Sequence, residues 1–260
     1  MEQKQATAGW GAERTAGDGA AYVSVSGLGL KTALGPVYED VNLTVQKGQV
    51  VALFGSEGCG KTSLLLTLGG RMRYQTGTAT VAGFDLRKQY KKVRDLSAIT
   101  IIDRINDVPE YLKVRDLLAA ELQMAGKKAN RAAVDAYLQE WDFLDRADLQ
   151  YHQLESNDRL YFGIMLAYVP DPELLLVDDI QSGVTQHRAI TWVGMFQQLA
   201  AARGTTVIFC TTEYDIALHA DAVIIASQKG EDQRQAVLAD KGSAALAPIT
   251  GTCNGVVPQN

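Results

Sequence analysis

The sequence predicts an α/β fold with a mostly helical segment inserted between two strand-rich ends. Three observations predict it. Short apolar runs of strand length alternate with helical periodicities along most of the chain. A glycine-rich octet at residues 55–62, G-S-E-G-C-G-K-T, lies between one such run (49–54, Q-V-V-A-L-F) and an apolar helical stretch. A second run, 173–179, reads E-L-L-L-V-D-D and ends in two acids.

Taken in order, residues 1–20 are polar, rich in Gly and Ala and without periodicity; a disordered tail is expected there. Strands are expected at 21–26, 40–46, 49–54, 77–82, 97–102, 173–178, 205–210 and 221–226, from short β-branched and apolar runs. Helices are expected at 61–72, 114–125, 130–141, 157–169, 187–202 and 213–219. The folded domain then spans 21–240, with a helical subdomain at about 108–170, and 241–260 is expected to be a flexible tail.

Bulk properties narrow the function classes. Hydrophobic content of 47% in 260 residues is enough for a sizeable core. A net charge of −5 argues against nucleic acid as the main partner, which would need a basic face. Three cysteines (Cys59, Cys210, Cys253) suit a reducing compartment better than a disulfide framework. No apolar run approaches the ~20 residues of a membrane span, and no signal-peptide core is evident. Work at a membrane is therefore expected through docking to another chain.

The octet is a complete Walker A phosphate loop. Gly55, Gly58 and Gly60 allow the backbone to approach an anion, and the amides of the loop and following helix point at it with the helix dipole. Lys61 supplies a point charge for β- and γ-phosphates, and Thr62 a hydroxyl for Mg²⁺. The expected nucleotide-binding set is Gly55, Ser56, Glu57, Gly58, Cys59, Gly60, Lys61, Thr62 and Ser63. Cys59 is read as a small side chain whose amide matters; a redox-sensing thiol is the alternative. Residues 173–179 have the Walker B form, a buried strand delivering Asp178 to the metal opposite Thr62.

The order of motifs resembles the ATP-binding domain of ABC transporters, from about Tyr22 to about Lys229. Residues 38–55 are similar to the family's two strands leading into Walker A, V-R-D-L-L at 114–118 to its entry into the helical subdomain, and D-P-E-L-L-L-V-D-D at 171–179 to its Walker B. Ser182 and Gly183 stand where its D-loop begins. The resemblance implies a P-loop NTPase core with an antiparallel β subdomain and an inserted helical subdomain. It implies ATP and Mg²⁺ as cofactors, and a second ABC-type ATP-binding domain (homodimer or heterodimer) and transmembrane permease subunits as partners. It also implies a cytoplasmic location, peripheral at the inner face of the membrane. In that family two domains pair head to tail, and an L-S-G-G-Q helix of one closes over the ATP of the other.

The departures are as informative. The signature falls on 154–158, which read L-E-S-N-D. A carboxylate ~5 Å from a phosphate charge at an effective dielectric of ~20 is repelled by roughly 3 kcal/mol, although Arg159 lies nearby. Ser156, Asn157 and Asp158 suit N-capping of the following helix better than phosphate binding. The family's catalytic Glu is Asp179 here, about 1 Å short, a displacement that costs on the order of 10²-fold in rate. The switch histidine aligns with Thr212, the glutamine with Asp103 or Arg104, and the D-loop acid with Thr185; His152, His187 and His219 are expected at or near the surface. An adenine-stacking ring is implied near Thr32, where none stands, with Tyr38 and Tyr22 the nearest candidates.

The expected function is an ATP-binding subunit of an ABC-type transporter, with slow or partner-dependent hydrolysis. The alternative is a hydrolysis-deficient nucleotide-binding subunit that regulates or stabilises a membrane assembly. A P-loop kinase of small metabolites would need a basic lid over the phosphates. Arg71 and Arg73 are the only nearby cluster, and the motif order argues against it.

Overall fold

The computed structural model of the protein describes residues 21–33, 35–102 and 105–226. Both expected tails, 1–20 and 241–260, lie outside the described residues, as do Asp103 and Arg104. Two sheets organise the chain. The first is antiparallel and four-stranded, in the order β2-β1-β4-β5, from β1 (Val23–Thr32), β2 (Gly35–Val45), β4 (Thr76–Val81) and β5 (Phe84–Asp85). The second is parallel and five-stranded, in the order β6-β7-β8-β3-β9, from β3 (Val50–Phe54), β6 (Ser97–Ile99), β7 (Leu174–Val177), β8 (Thr206–Thr211) and β9 (Ala222–Ile225).

The uninterrupted apolar runs of β3, β7 and β8 have a direct reason: each strand is buried on both faces. Val50, Ala52, Leu175, Val177, Val207 and Phe209 enter one core, and Val51, Leu53, Leu174, Leu176, Ile208 and Cys210 the other. The second core also holds α1 (Lys61–Leu68), packed between the two sheets through Leu64, Leu65 and Leu68. The first core carries α3 (Val114–Met124), α4 (Arg131–Glu140), α5 (Ser156–Tyr168), α6 (Gln186–Arg203) and α7 (Tyr214–Ala217). The short helix α2 (Tyr90–Leu96) inserts only Val93 into the core it shares with α1.

Residues 108–170 contain three of these helices, held together by an aromatic cluster in which Trp141 meets Tyr161 at 5.8 Å and Phe143 stacks on Phe162 at 5.9 Å. Arg115 of α3 donates to Asp135 of α4 and to Asp148 beyond it, at 2.9 and 3.0 Å. No helix among the described residues is long and apolar enough to cross a membrane.

Several elements depart from sequence expectation. The strand expected at 21–26 runs on to Thr32, because a register shift between Val25 and Leu28 lets β1 continue past Gly27. Its partner β2 starts at Gly35 rather than 40, since the end of β1 supplies the pairing. Helix α1 stops at Leu68 instead of 72, where Gly69 and Gly70 end it. The sequence reading omitted β5 and α2, whose residues Q-Y-K-K-V-R-D-L carry almost no apolar periodicity.

Candidate functional site

The parallel sheet places the two acids and the glycine loop at the same end, because β3 and β7 run the same way with only β8 between them. The loop leaves β3 held by Gly55 N–H, which donates to Thr211 O at 3.2 Å. It enters α1 through Gly60, whose φ of 90° is left-handed; a Cβ there would lie 2.8 Å from the carbonyl oxygen of Val37. The first helical amide to close a turn is Leu64 N–H, on Gly60 O at 2.9 Å. Ahead of it the amides of Lys61, Thr62 and Ser63 have no helical acceptor by geometry, and the first turn of α1 has no acidic residue.

Lys61 Nζ donates to Gly55 O and Ser56 O, both at 2.7 Å, which holds the ammonium over the loop. Thr62 Oγ1 donates to Asp178 Oδ2 at 2.7 Å, so hydroxyl and carboxylate meet although 116 residues separate them. A hydroxyl and a carboxylate are hard oxygen donors, the kind Mg²⁺ takes. Together with the amides at the start of α1 and the cradle that only glycine permits at position 60, they fit a magnesium–triphosphate ligand.

Asp178 is tied down from both sides. Its N–H donates to Thr100 Oγ1 at 3.4 Å, and the Cys210 thiol donates to its carboxylate. Burial, then the Asp178 charge, holds the Cys210 thiol well above its usual pKa. Cys59 is also fully buried, and burial raises its thiol pKa against the opposing charge of Lys61. Burial favours reading Cys59 as a small packing group over a redox-sensing thiol.

Asp179 adopts φ 45° and accepts from Ser182. Partial burial raises its carboxyl pKa, and the negative charges of Asp178 and Glu57 add to the effect while Lys61 opposes it. A cleft of about 740 Å³ runs from Asp178 and Asp179 past Thr100 to Ser156 and Arg159 at the start of α5.

That helix start is built unlike an anion site. Its N-cap is Glu155, with no side-chain cap bond, so the expected capping by Ser156, Asn157 or Asp158 does not occur. All three already lie inside the helix. Asp158 accepts instead from Arg146 Nε at 3.0 Å. Arg159 donates to Leu154 O and His152 O, at 2.9 and 2.7 Å, and stands over the Tyr151 ring. Ser156 sits where a Cβ on Gly183 would be 2.7 Å away, so α5 and the turn after Asp179 touch within one chain.

The other aligned positions do structural work. Thr212 accepts from Gln181 Nε2 at 3.1 Å. Thr185 caps α6 by accepting from Arg188 N–H at 3.4 Å. His152, His187 and His219 are exposed. Tyr38 is fully buried with its hydroxyl 2.7 Å from Thr67 Oγ1, and Tyr22 is buried too, so neither ring is available to stack on a base. Arg71 donates to Gly69 O and Ser97 at the far end of α1, which leaves it unable to act as a lid over phosphates. Sequence reasoning gave no role to Thr100, Gln181 or Cys210, residues whose contacts arise from neighbouring strand ends and carry no motif; Ser182, placed at the D-loop start by resemblance, donates to Asp179.

Known proteins agree with this fold. The family model described as ABC transporter matches residues 38–182. A protein named as a hemin import ATP-binding protein, HrtA of Staphylococcus aureus (strain Newman), is 29% identical over 192 residues, covering 72% of this chain and 87% of the relative. Among solved structures, cbiO1 from Clostridium perfringens, part of the ABC transporter complex cbiONQ, matches with a TM-score of 0.67 at 20% identity, over 79% of this chain and 84% of that one. The dimeric ATP-binding cassette MJ0796 in a post-hydrolysis state, bound to ADP and Pi, matches with a TM-score of 0.69 at 16% identity, over 78% and 94%. At these identities the structural matches speak for the fold.

Proposed function

Because this chain belongs to the ABC transporter family and is one of its ATP-binding subunits, we propose that it binds Mg-ATP in the loop 55–63. Thr62 and Asp178 would hold the metal. A magnesium ion held there would supply positive charge against the phosphates. The chain's own part is to place Lys61 over the loop, to aim the first amides of α1 at the anion, and to keep Asp178 fixed through Thr100 and Cys210. The observation that carries this reading is the 2.7 Å bond between Thr62 and Asp178 beside a lysine already folded over its loop.

The partner relations follow from the same reading. The subunit pairs with a second ABC-type ATP-binding domain and works against permease subunits through a helical subdomain of about 108–170, at the inner face of the membrane. Turnover is slow or depends on the partner. Asp179 is one methylene shorter than the family's acid, and the segment that resembles the family's signature position carries Glu155 and Asp158. The same two features support the second reading, a subunit whose nucleotide binding regulates or stabilises the assembly without useful hydrolysis.

Calorimetry with Mg-ATP and steady-state phosphate release, on one sample of the complex purified from native membrane, test both. Binding with release far below ~10 s⁻¹ is expected. Absence of binding heat at millimolar ligand would overturn the nucleotide site. Release near that typical enzyme rate would overturn the weakened-site argument alone.

A further inference from the structure

We propose that the hollow between the end of α1 and the helix α2 binds a small anion carrying two or more phosphate groups, at a site separate from the phosphate loop. The hollow encloses about 430 Å³, and Arg71, Arg73, Arg87, Arg94, Tyr74 and Tyr90 line it with no carboxylate in the lining among the described residues. Residues 70–95 hold seven Lys or Arg against Asp85 and Asp95, in a chain whose net charge is −5. Asp85 is already engaged, accepting from the N–H groups of Arg87 and Lys88. Asp95 follows Arg94 on α2 and does not line the hollow.

The arginines are built in. Arg71 is anchored by three hydrogen bonds to Gly69 and Ser97 at 2.7–3.0 Å. Arg73 lies over the Tyr90 ring and Arg87 over the Tyr74 ring, each at 4.9 Å. Stacking holds a guanidinium plane, and Arg87 is held further through Nη2, which donates to Gln75 O and Gly77 O at 3.1 and 3.4 Å; its remaining N–H groups and those of Arg73 can fork onto phosphate oxygens. Gly70 brings the pieces together: at φ 68°, a Cβ on it would lie 2.6 Å from Tyr90 O and 3.3 Å from Arg94 N. That approach sets Arg71 against Arg94, whose charge, added to burial, lowers the Arg71 pKa.

Like charges held together this way repel, and a multiply charged anion removes the repulsion. One phosphate would leave most of the hollow empty, so a diphosphate, bare or carrying an organic group, suits it. The eight residues of α1 put about 12 Å between this hollow and the phosphate loop.

The test is calorimetry with sodium pyrophosphate on the full chain carrying Lys61→Ala, which disables the phosphate loop. Heat is expected to persist, and adding Arg73→Ala or Arg94→Ala is expected to weaken affinity at least about tenfold. Lys91→Ala, an exposed charge on α2 outside the hollow, is expected to leave it unchanged. Flotation with vesicles containing phosphatidylinositol 4,5-bisphosphate, whose headgroup carries several phosphates, identifies the source. Vesicle binding that pyrophosphate displaces, and that Arg73→Ala abolishes, assigns a lipid headgroup; pyrophosphate heat without flotation assigns a soluble phosphate compound. Loss of all heat with Lys61→Ala, equal loss with Lys91→Ala, or no response to Arg73→Ala and Arg94→Ala overturns the proposal. Mg-ATP binding and melting temperature of each arginine variant with Lys61 intact report folding, and Arg73→Gln and Arg94→Gln replace any variant that melts early.

Discussion

Helices α1 and α5 both begin near Asp178, at one end of the parallel sheet, yet their N-termini are built differently. Helix α1 opens with a left-handed glycine, no acid in its first turn and a lysine over the entering loop. Helix α5 opens with Glu155, carries Asp158 in its first turn and ties that acid to Arg146. A carboxylate in a first turn already satisfies the positive end of the helix dipole. The first helix therefore leaves its dipole for a ligand, and the second spends it on its own side chain.

The largest expected effect attacks the first half of that contrast. Lys61→Ala should weaken Mg-ATP binding by about a hundredfold or more, since charge-assisted bonds to phosphate are lost; calorimetry against the parent chain measures it, and unchanged affinity would mean α1 is not the anion site. Asp179→Glu is expected to raise phosphate release by the complex by on the order of 10²-fold, by restoring the missing reach. A rate that stays flat would assign the deficit to α5 instead. Replacing both acids at α5, Glu155→Ser with Asp158→Gln, should increase ATP-dependent pairing up to about tenfold, worth roughly 1.4 kcal/mol, as read by light scattering with and without nucleotide. No change would show that the absent glycines, not the charges, limit that helix.

Gly60→Ala sharpens the comparison from the backbone side. It forces a side chain into a left-handed turn against Val37 O, and a loss of about 1–3 kcal/mol in urea unfolding is expected, with weaker nucleotide binding. The smallest effect concerns pH. Asp179 has its carboxyl pKa raised above the ordinary 3.8 by partial burial and by Asp178. The folded state then holds that proton longer than the unfolded one. Stability contributed by this group falls as pH climbs from the ordinary value through the raised one, and stays lowered above it. Asp179→Asn should therefore stabilise the chain at neutral pH, by less than about 1 kcal/mol because its rim reaches solvent. The gain should vanish near pH 3, as urea midpoints at the two pH values will report.

Much of this was legible in the residues. The octet 55–62 and the run 173–179 announce the loop and the acid because each depends on local chemistry: glycine where the backbone must turn, apolar residues where a strand is buried on both faces. That Asp179 and Thr212 stand where the resemblance puts a Glu and a His was equally legible, since residue identity is visible without coordinates. The start of α5 was misjudged. Side-chain capping is a local rule, and here Arg146, twelve residues away, draws Asp158 into an ion pair instead. Helix α2 went unseen because only its Val93 is fully buried, and the room it needs is left by Gly70 just after α1.

By itself the sequence determined the chemistry available: one lysine-bearing loop, two adjacent acids at the end of a buried strand and an excess of arginine between 70 and 95. Only the tertiary structure decided which of these meet. Thr62 reaches Asp178 because parallel strands bring their C-terminal ends to one edge, and Arg71 meets Arg94 because Gly70 lets two helices close to backbone contact. Those are distances across the fold, and a chain read residue by residue holds no information about distance until its strands have chosen their order.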